Sequence, residues 1–79
     1  MKKPVFADLA SLPEDERIAI IGRTAEQGQR VAFIVDDDQK ADRYIQKLVT
    51  RFYVAVAKRG AGPVKGTVSV VIERKATVH

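Results

Sequence analysis

Three consecutive aspartates, Asp36, Asp37 and Asp38, are the residues best suited to catalysis by type and position. They follow the apolar run Val31–Val35, and carboxylates at the end of a strand can hold Mg²⁺ through one or two oxygens. No second acidic cluster follows another predicted strand to complete such a site. The same residues suit a strand end, a turn and a helix N-cap. This simpler interpretation predicts a non-enzymatic chain with no catalytic residue, metal or cofactor.

Cations are the second chemical feature, and they are candidate nucleic-acid ligands. On the predicted second helix their spacing keeps them within roughly 80° of one another, and others lie around a glycine-rich loop. The seven candidates are Lys40, Arg43, Lys47, Arg51, Lys58, Arg59 and Lys65. Such side chains can contact phosphates from a helix face or a hairpin arm. The alternative is an ordinary solvated helix face and a soluble loop.

The distribution of charge favours a polyanion partner more than the net charge of +4 does. Residues 1–42 hold nine acids and six bases, whereas residues 43–79 hold eight bases and one acid. No acid occurs from Arg43 through Ile72. Segregation of this kind is typical of a surface that faces a polyanion, although small domains also carry uneven charge by chance.

Composition excludes several other classes of function. The chain has no cysteine, which excludes disulfides and thiol catalysis, and its one histidine is the last residue, His79. The longest apolar run is five residues, far short of the about 20 that a membrane helix needs. Lys2 and Lys3 are not followed by the apolar segment of a signal peptide. We therefore expect a cytoplasmic protein without a membrane segment.

The first predicted helix covers residues 11–27. Ser11 and Glu14 have the spacing of a capping box, and Gly28 suits the C-terminal cap. Gly22 lies inside the helix, where it costs about 1 kcal/mol relative to alanine. We therefore expect Gly22 to allow close helix packing by letting another backbone approach.

A second helix over residues 39–52 is predicted by an apolar stripe from Ala41 to Phe52, with Asp38 or Asp37 as its N-cap. Strands are predicted at residues 30–36, 53–58 and 66–74, with a loop at 59–66. Residues 1–10 form a lead-in, residues 11–75 a single domain, and residues 76–79 a tail.

The resulting order is α-β-α-β-β, which predicts an α+β two-layer sandwich. Two helices would cover one face of a three-stranded mixed sheet, with the last strand inserted between the other two. The opposite face would carry small residues such as Ala55, Ser69 and Val71. An uncovered face or an open edge strand favours a homodimer or another protein partner.

The order of a helix, a glycine, an apolar strand, an amphipathic helix ending near Arg51, and a hairpin with a basic glycine-containing tip resembles the later part of the Alba-like fold. It is also similar to the C-terminal domain of a bacterial translation initiation factor. The resemblance covers residues 14–75 and lacks the first strand of those folds. Because members of both groups bind nucleic acid, it implies the same partner here without assigning any residue.

The sequence thus predicts a small domain that binds DNA or RNA phosphates through the seven candidate cations. The alternative is a protein-interaction or homodimerisation module that uses the open sheet face or an edge strand.

Overall fold

A computed structural model describes residues 12–76 of the chain together with the backbone of residues 5–6. Most of the predicted lead-in and tail, including Ser11 and His79, lies outside these described residues. Six elements follow one another: β1 (Val5–Phe6), α1 (Glu14–Glu26), β2 (Val31–Val35), α2 (Asp38–Arg51), β3 (Val54–Ala61) and β4 (Val68–Arg74).

The strands form one sheet in the order β1-β2-β4-β3. β4 lies between β2 and β3, as predicted, and pairs antiparallel with both. The prediction that these three strands form a mixed sheet is therefore wrong. β2 and β3 do run in the same direction, but β4 separates them, so neither neighbouring pair among the three is parallel.

The short strand β1 was not predicted. Val5 and Phe6 pair in parallel with Val31 and Ala32 at the edge of the sheet. Two residues are too few for an alternating pattern to be recognised in the sequence. This strand precedes the first helix.

Both helices pack against the same side of the sheet, so the α+β prediction is confirmed. Alternate residues of β2 and β4 point into this layer because successive side chains in a strand face opposite ways. The buried apolar residues that the two helices add are Ile18, Ile21, Ala25, Ala41, Tyr44 and Leu48. On the other side of the sheet Ile34 remains 44% exposed.

The helix ends differ in part from the predictions. Asp37, rather than Asp38, caps α2: its side chain accepts a hydrogen bond of 2.8 Å from the Lys40 amide. The predicted capping box is wrong, because Glu14 is already the first residue of α1 and Pro13 is its N-cap. Gly28 follows the last turn of α1 with φ +100°, the left-handed conformation expected there.

The hairpin of β3 and β4 is longer than predicted, and its loop is shorter. Arg59 through Ala61 belong to β3, although they were predicted to be loop. A β-bulge between Val56 and Lys58 shifts the register by one residue. Thr67 closes the loop of residues 62–67, because its hydroxyl donates to the Val64 carbonyl at 2.6 Å.

Candidate nucleic-acid interface

The predicted basic face of α2 is neutralised by the start of α1. Arg43 binds both oxygens of Glu14 through its guanidinium, at 2.7 and 3.0 Å, and Lys47 reaches the same carboxylate at 3.3 Å. Lys47 also lies 3.5 Å from Asp15. The hydrogen bond from Arg43 is the main reason that the pKa of Glu14 is lowered; partial burial opposes this shift, and the hydrogen bond from Lys47 lowers the pKa further.

The aspartate run also binds cations of the candidate set. Asp36 lies 3.1 Å from Lys40, while Arg59 reaches Asp42 at 2.6 Å and Asp38 at 3.0 Å. Hydrogen bonds to Asp42 and then Asp38 raise the pKa of Arg59. Within the described residues, no three carboxylate, histidine or cysteine side chains gather into a group that could hold a metal ion.

The structure therefore does not bring the seven predicted cations together on one acid-free surface. Four of them pair with carboxylates from the first half of the chain: Lys40, Arg43, Lys47 and Arg59. The other three have no ion pair within the described part of the chain, but they lie apart. Arg51 ends α2, Lys65 is in the hairpin loop, and Lys58 is on the uncovered side of the sheet opposite Val71.

The two helices run side by side in the same direction, so the molecule has two chemically different ends. Glu14 at the start of α1 meets Arg43 and Lys47, while Gly22 further along α1 meets Phe52 just after α2. The end at which both helices start is the acidic end. Its carboxylates are Glu14, Asp15, Glu16, Asp36, Asp37, Asp38 and Asp42.

The opposite end, where both helices finish, carries cations that the candidate set mostly missed. Here β4 ends and β3 begins, because Arg74 pairs with Val54. We call this the basic end, and its members are Arg23, Arg51, Arg74 and Lys75. Within the described residues none of the four has an ion pair with a carboxylate.

The carboxylates described at the basic end are already engaged. Glu26 accepts a hydrogen bond of 2.8 Å from the Tyr53 amide, and Glu73 lies 3.2 Å from Arg30. Neither carboxylate pairs with a member of the basic end. The four cations are therefore open to an external anion.

Tyr53 is the exposed aromatic residue of the basic end, and 46% of its surface is accessible. The Lys75 amide donates to the Tyr53 carbonyl at 3.0 Å, and the Lys75 ammonium lies 5.8 Å from the centre of the tyrosine ring. The phenol donates to the Ala76 carbonyl at 3.4 Å. Sequence reasoning missed this grouping, because the predicted strand of residues 66–74 stops short of Lys75 and the β-bulge that sets the register was not predicted.

No protein-family model matches the chain, and no curated protein or solved structure is significantly similar to it. None of the helices within residues 12–76 combines the length and the apolar character that a membrane span requires. The function must therefore be argued from the geometry of the site.

Proposed function

We propose that this protein is a non-enzymatic nucleic-acid-binding domain that contacts phosphates through its basic end. The observation that carries the proposal is a set of four cations at one end, with both nearby carboxylates bound elsewhere. Of the seven cations predicted from the sequence, Arg51 belongs to this set, and Arg23, Arg74 and Lys75 are added to it.

Electrostatics favours the basic end over the predicted helix face and hairpin loop. Exposed ion pairs are worth only about 0–1 kcal/mol, so a phosphate could replace the carboxylate in such a pair. However, a phosphate at Arg43 or Arg59 would also meet the uncompensated carboxylates of the acidic end. At the basic end an approaching strand meets four cations without an ion pair in the described residues. Only two described carboxylates, Glu26 and Glu73, lie there, and each already has a partner, so like-charge repulsion is weaker at this end.

The proposal is tested by fluorescence anisotropy with labelled single-stranded and duplex probes over a series of salt concentrations. If all four cations contact phosphates, the slope of log K against log salt is about −3 for a single strand and about −4 for a duplex. Arg74→Gln should reduce the magnitude of the slope by roughly 1.

Lys65→Gln is the matched control, because it removes one exposed cation from the hairpin loop, away from the basic end. We expect it to leave the affinity and the slope nearly unchanged. A chain that binds neither probe at low salt would contradict the proposed function. Equal losses for Arg74→Gln and Lys65→Gln would contradict the assignment to the basic end.

The open edge of β3 favours a second candidate function, which is homodimerisation. β3 spans eight residues and pairs only with β4 among the described strands, so one row of its backbone groups has no partner in the described part of the sheet. Val56 and Ile34 are 38% and 44% exposed on the two faces of the sheet. Light scattering that gives a salt-insensitive dimer, together with no affinity for either probe, would favour this function over nucleic-acid binding.

A further inference from the structure

We propose that Tyr53 stacks on a single unpaired base, so that the ligand of the basic end is single-stranded nucleic acid. This inference rests on the proposed function, because the surrounding cations must first bring a strand to the surface. It adds the chemical class of the ligand and a residue that reads the base rather than the phosphate.

Hydrogen bonds hold the backbone of Tyr53 on both sides, and a longer one engages its phenol, before any ligand binds. Glu26 fixes its amide at 2.8 Å, Lys75 fixes its carbonyl at 3.0 Å, and the phenol reaches Ala76 at 3.4 Å. A residue whose backbone is already fixed loses less conformational freedom when a base stacks on its ring. Nearly half of the surface of Tyr53 nevertheless remains accessible.

The charges around the ring match a nucleotide rather than an apolar ligand. The Lys75 ammonium lies over one face of the ring, 5.8 Å from its centre, so a base would stack on the other face. Arg51 is two residues away along the chain. A base that stacks on Tyr53 carries its phosphate within reach of such side chains. Aromatic stacking combined with backbone cations is the usual basis of single-strand binding.

An unpaired base is favoured because the faces of bases within a duplex are covered by their neighbours. A single base is favoured because Tyr53 stands alone among the described aromatic side chains. Tyr44 and Phe33 are buried and stack on each other, with ring centres 5.6 Å apart, and Phe52 packs against the core. The site therefore suits one unstacked nucleotide, as in a strand end or a bulge.

Tyrosine fluorescence provides a direct test, because the chain has no tryptophan and only two tyrosines. Tyr44→Phe leaves Tyr53 as the sole emitter while keeping the buried ring. The probes are a short oligodeoxythymidylate, the same strand with abasic sites throughout, and a blunt duplex of equal length. We expect the thymidylate strand to quench Tyr53, and the abasic strand and the duplex to quench it much less.

Affinity measurements separate stacking from charge. Tyr53→Leu should weaken binding of the thymidylate strand by about tenfold and change binding of the abasic strand by less than about twofold. Tyr53→Phe keeps the ring and should bind nearly as well as the wild type. Circular dichroism of both variants, with near-wild-type spectra required, ensures that the comparison is made on folded protein.

Each remaining outcome has a defined meaning. Binding without quenching, together with wild-type affinity for Tyr53→Leu, overturns the stacking inference and leaves the proposed function standing. Equal quenching by the duplex overturns the preference for an unpaired base. Failure of every probe to bind at low salt overturns both proposals.

Discussion

Replacing Gly22 by alanine would improve helix propensity but would crowd the ring of Phe52, and the sizes of these two effects can be compared. A Cβ atom built at this position would overlap the ring of Phe52. Alanine gains about 1 kcal/mol in helix propensity, but overpacking a core contact costs about 1–3 kcal/mol. We therefore expect Gly22→Ala to lower the free energy of unfolding in urea denaturation by roughly 1 kcal/mol.

Two controls isolate the contact with Phe52. In a Phe52→Leu background the ring is gone, so Gly22→Ala should lose its penalty. Gly60→Ala should be close to neutral, because nothing lies within 4 Å of the added atom. If Gly22→Ala stabilises the wild-type chain, the close contact with the ring is wrong.

At this scale the sequence predicted residue roles better than residue partners. It indicated that Gly22 allows a close approach, but the neighbour is a side chain from the end of α2. It assigned Glu14 to a local capping box, whereas Glu14 binds Arg43, which is 29 residues away. Local spacing determines caps and turns, but ion pairs between helices depend on packing that no local pattern encodes.

At the scale of the element, α2 depends on its N-cap. Asp37→Ala leaves the Lys40 amide without its partner and should cost about 1 kcal/mol of unfolding free energy. Asp36→Ala is the matched control, since it removes only an exposed ion pair and should change stability by less than about 0.5 kcal/mol. Urea denaturation of the two variants measures the difference, and equal effects would contradict the cap assignment.

Helices and strands were predictable because their apolar periods are strong. The stripe of α2 predicted its core residues except Val49, which is 44% exposed. The alternation from Val68 to Ile72 predicted a strand with one buried face. The predicted loop was too long because its glycines were taken as turn residues, yet Gly60 lies in β3 opposite Ser69. Glycine in an edge strand resembles glycine in a loop when only the sequence is read.

At the scale of the whole molecule, the acidic end links the two helices in a pH-dependent way. The folded-state pKa of Glu14 lies below its ordinary value of 4.5, so its contribution to stability is complete above that value. It is lost as the pH falls through the folded-state pKa. We expect Glu14→Gln to lower stability at pH 7 by up to about 1 kcal/mol, allowing for solvent screening.

Chemical denaturation at pH 7 and at pH 3 measures this effect. The stability difference between Glu14→Gln and wild type should shrink at the lower pH, where the wild-type carboxylate is increasingly protonated. Glu16→Gln provides a control, because Glu16 is exposed and has no ion pair within the described residues. A difference that stays constant with pH would show that the ion pairs of Glu14 do not stabilise the fold.

Acidic and basic residues are also separated in the folded molecule, but the boundary is not the one that the sequence indicates. The sequence separates an acidic half from a basic half, whereas the structure separates the starts of the helices from their ends. Arg51, Arg74 and Lys75 lie at the same end of the molecule because β4 ends beside the start of β3, although Arg74 and Lys75, as successive residues, face opposite sides of the sheet. Their grouping depends on sheet order and register, which the charge pattern alone does not specify.

The β-bulge in β3 decides which basic residue meets the aspartates. Lys58 faces away from the helices opposite Val71, and Arg59 faces α2 opposite Val70. Strict alternation from Val56 would have exchanged them. Ala57 is the supernumerary residue, so a chain that loses it would keep every later side chain on its present face. The strand can therefore change length by one residue at Ala57 without turning its later side chains over. Because of the bulge, the two terminal nitrogens of Arg59 can bind Asp42 and Asp38 at the same time.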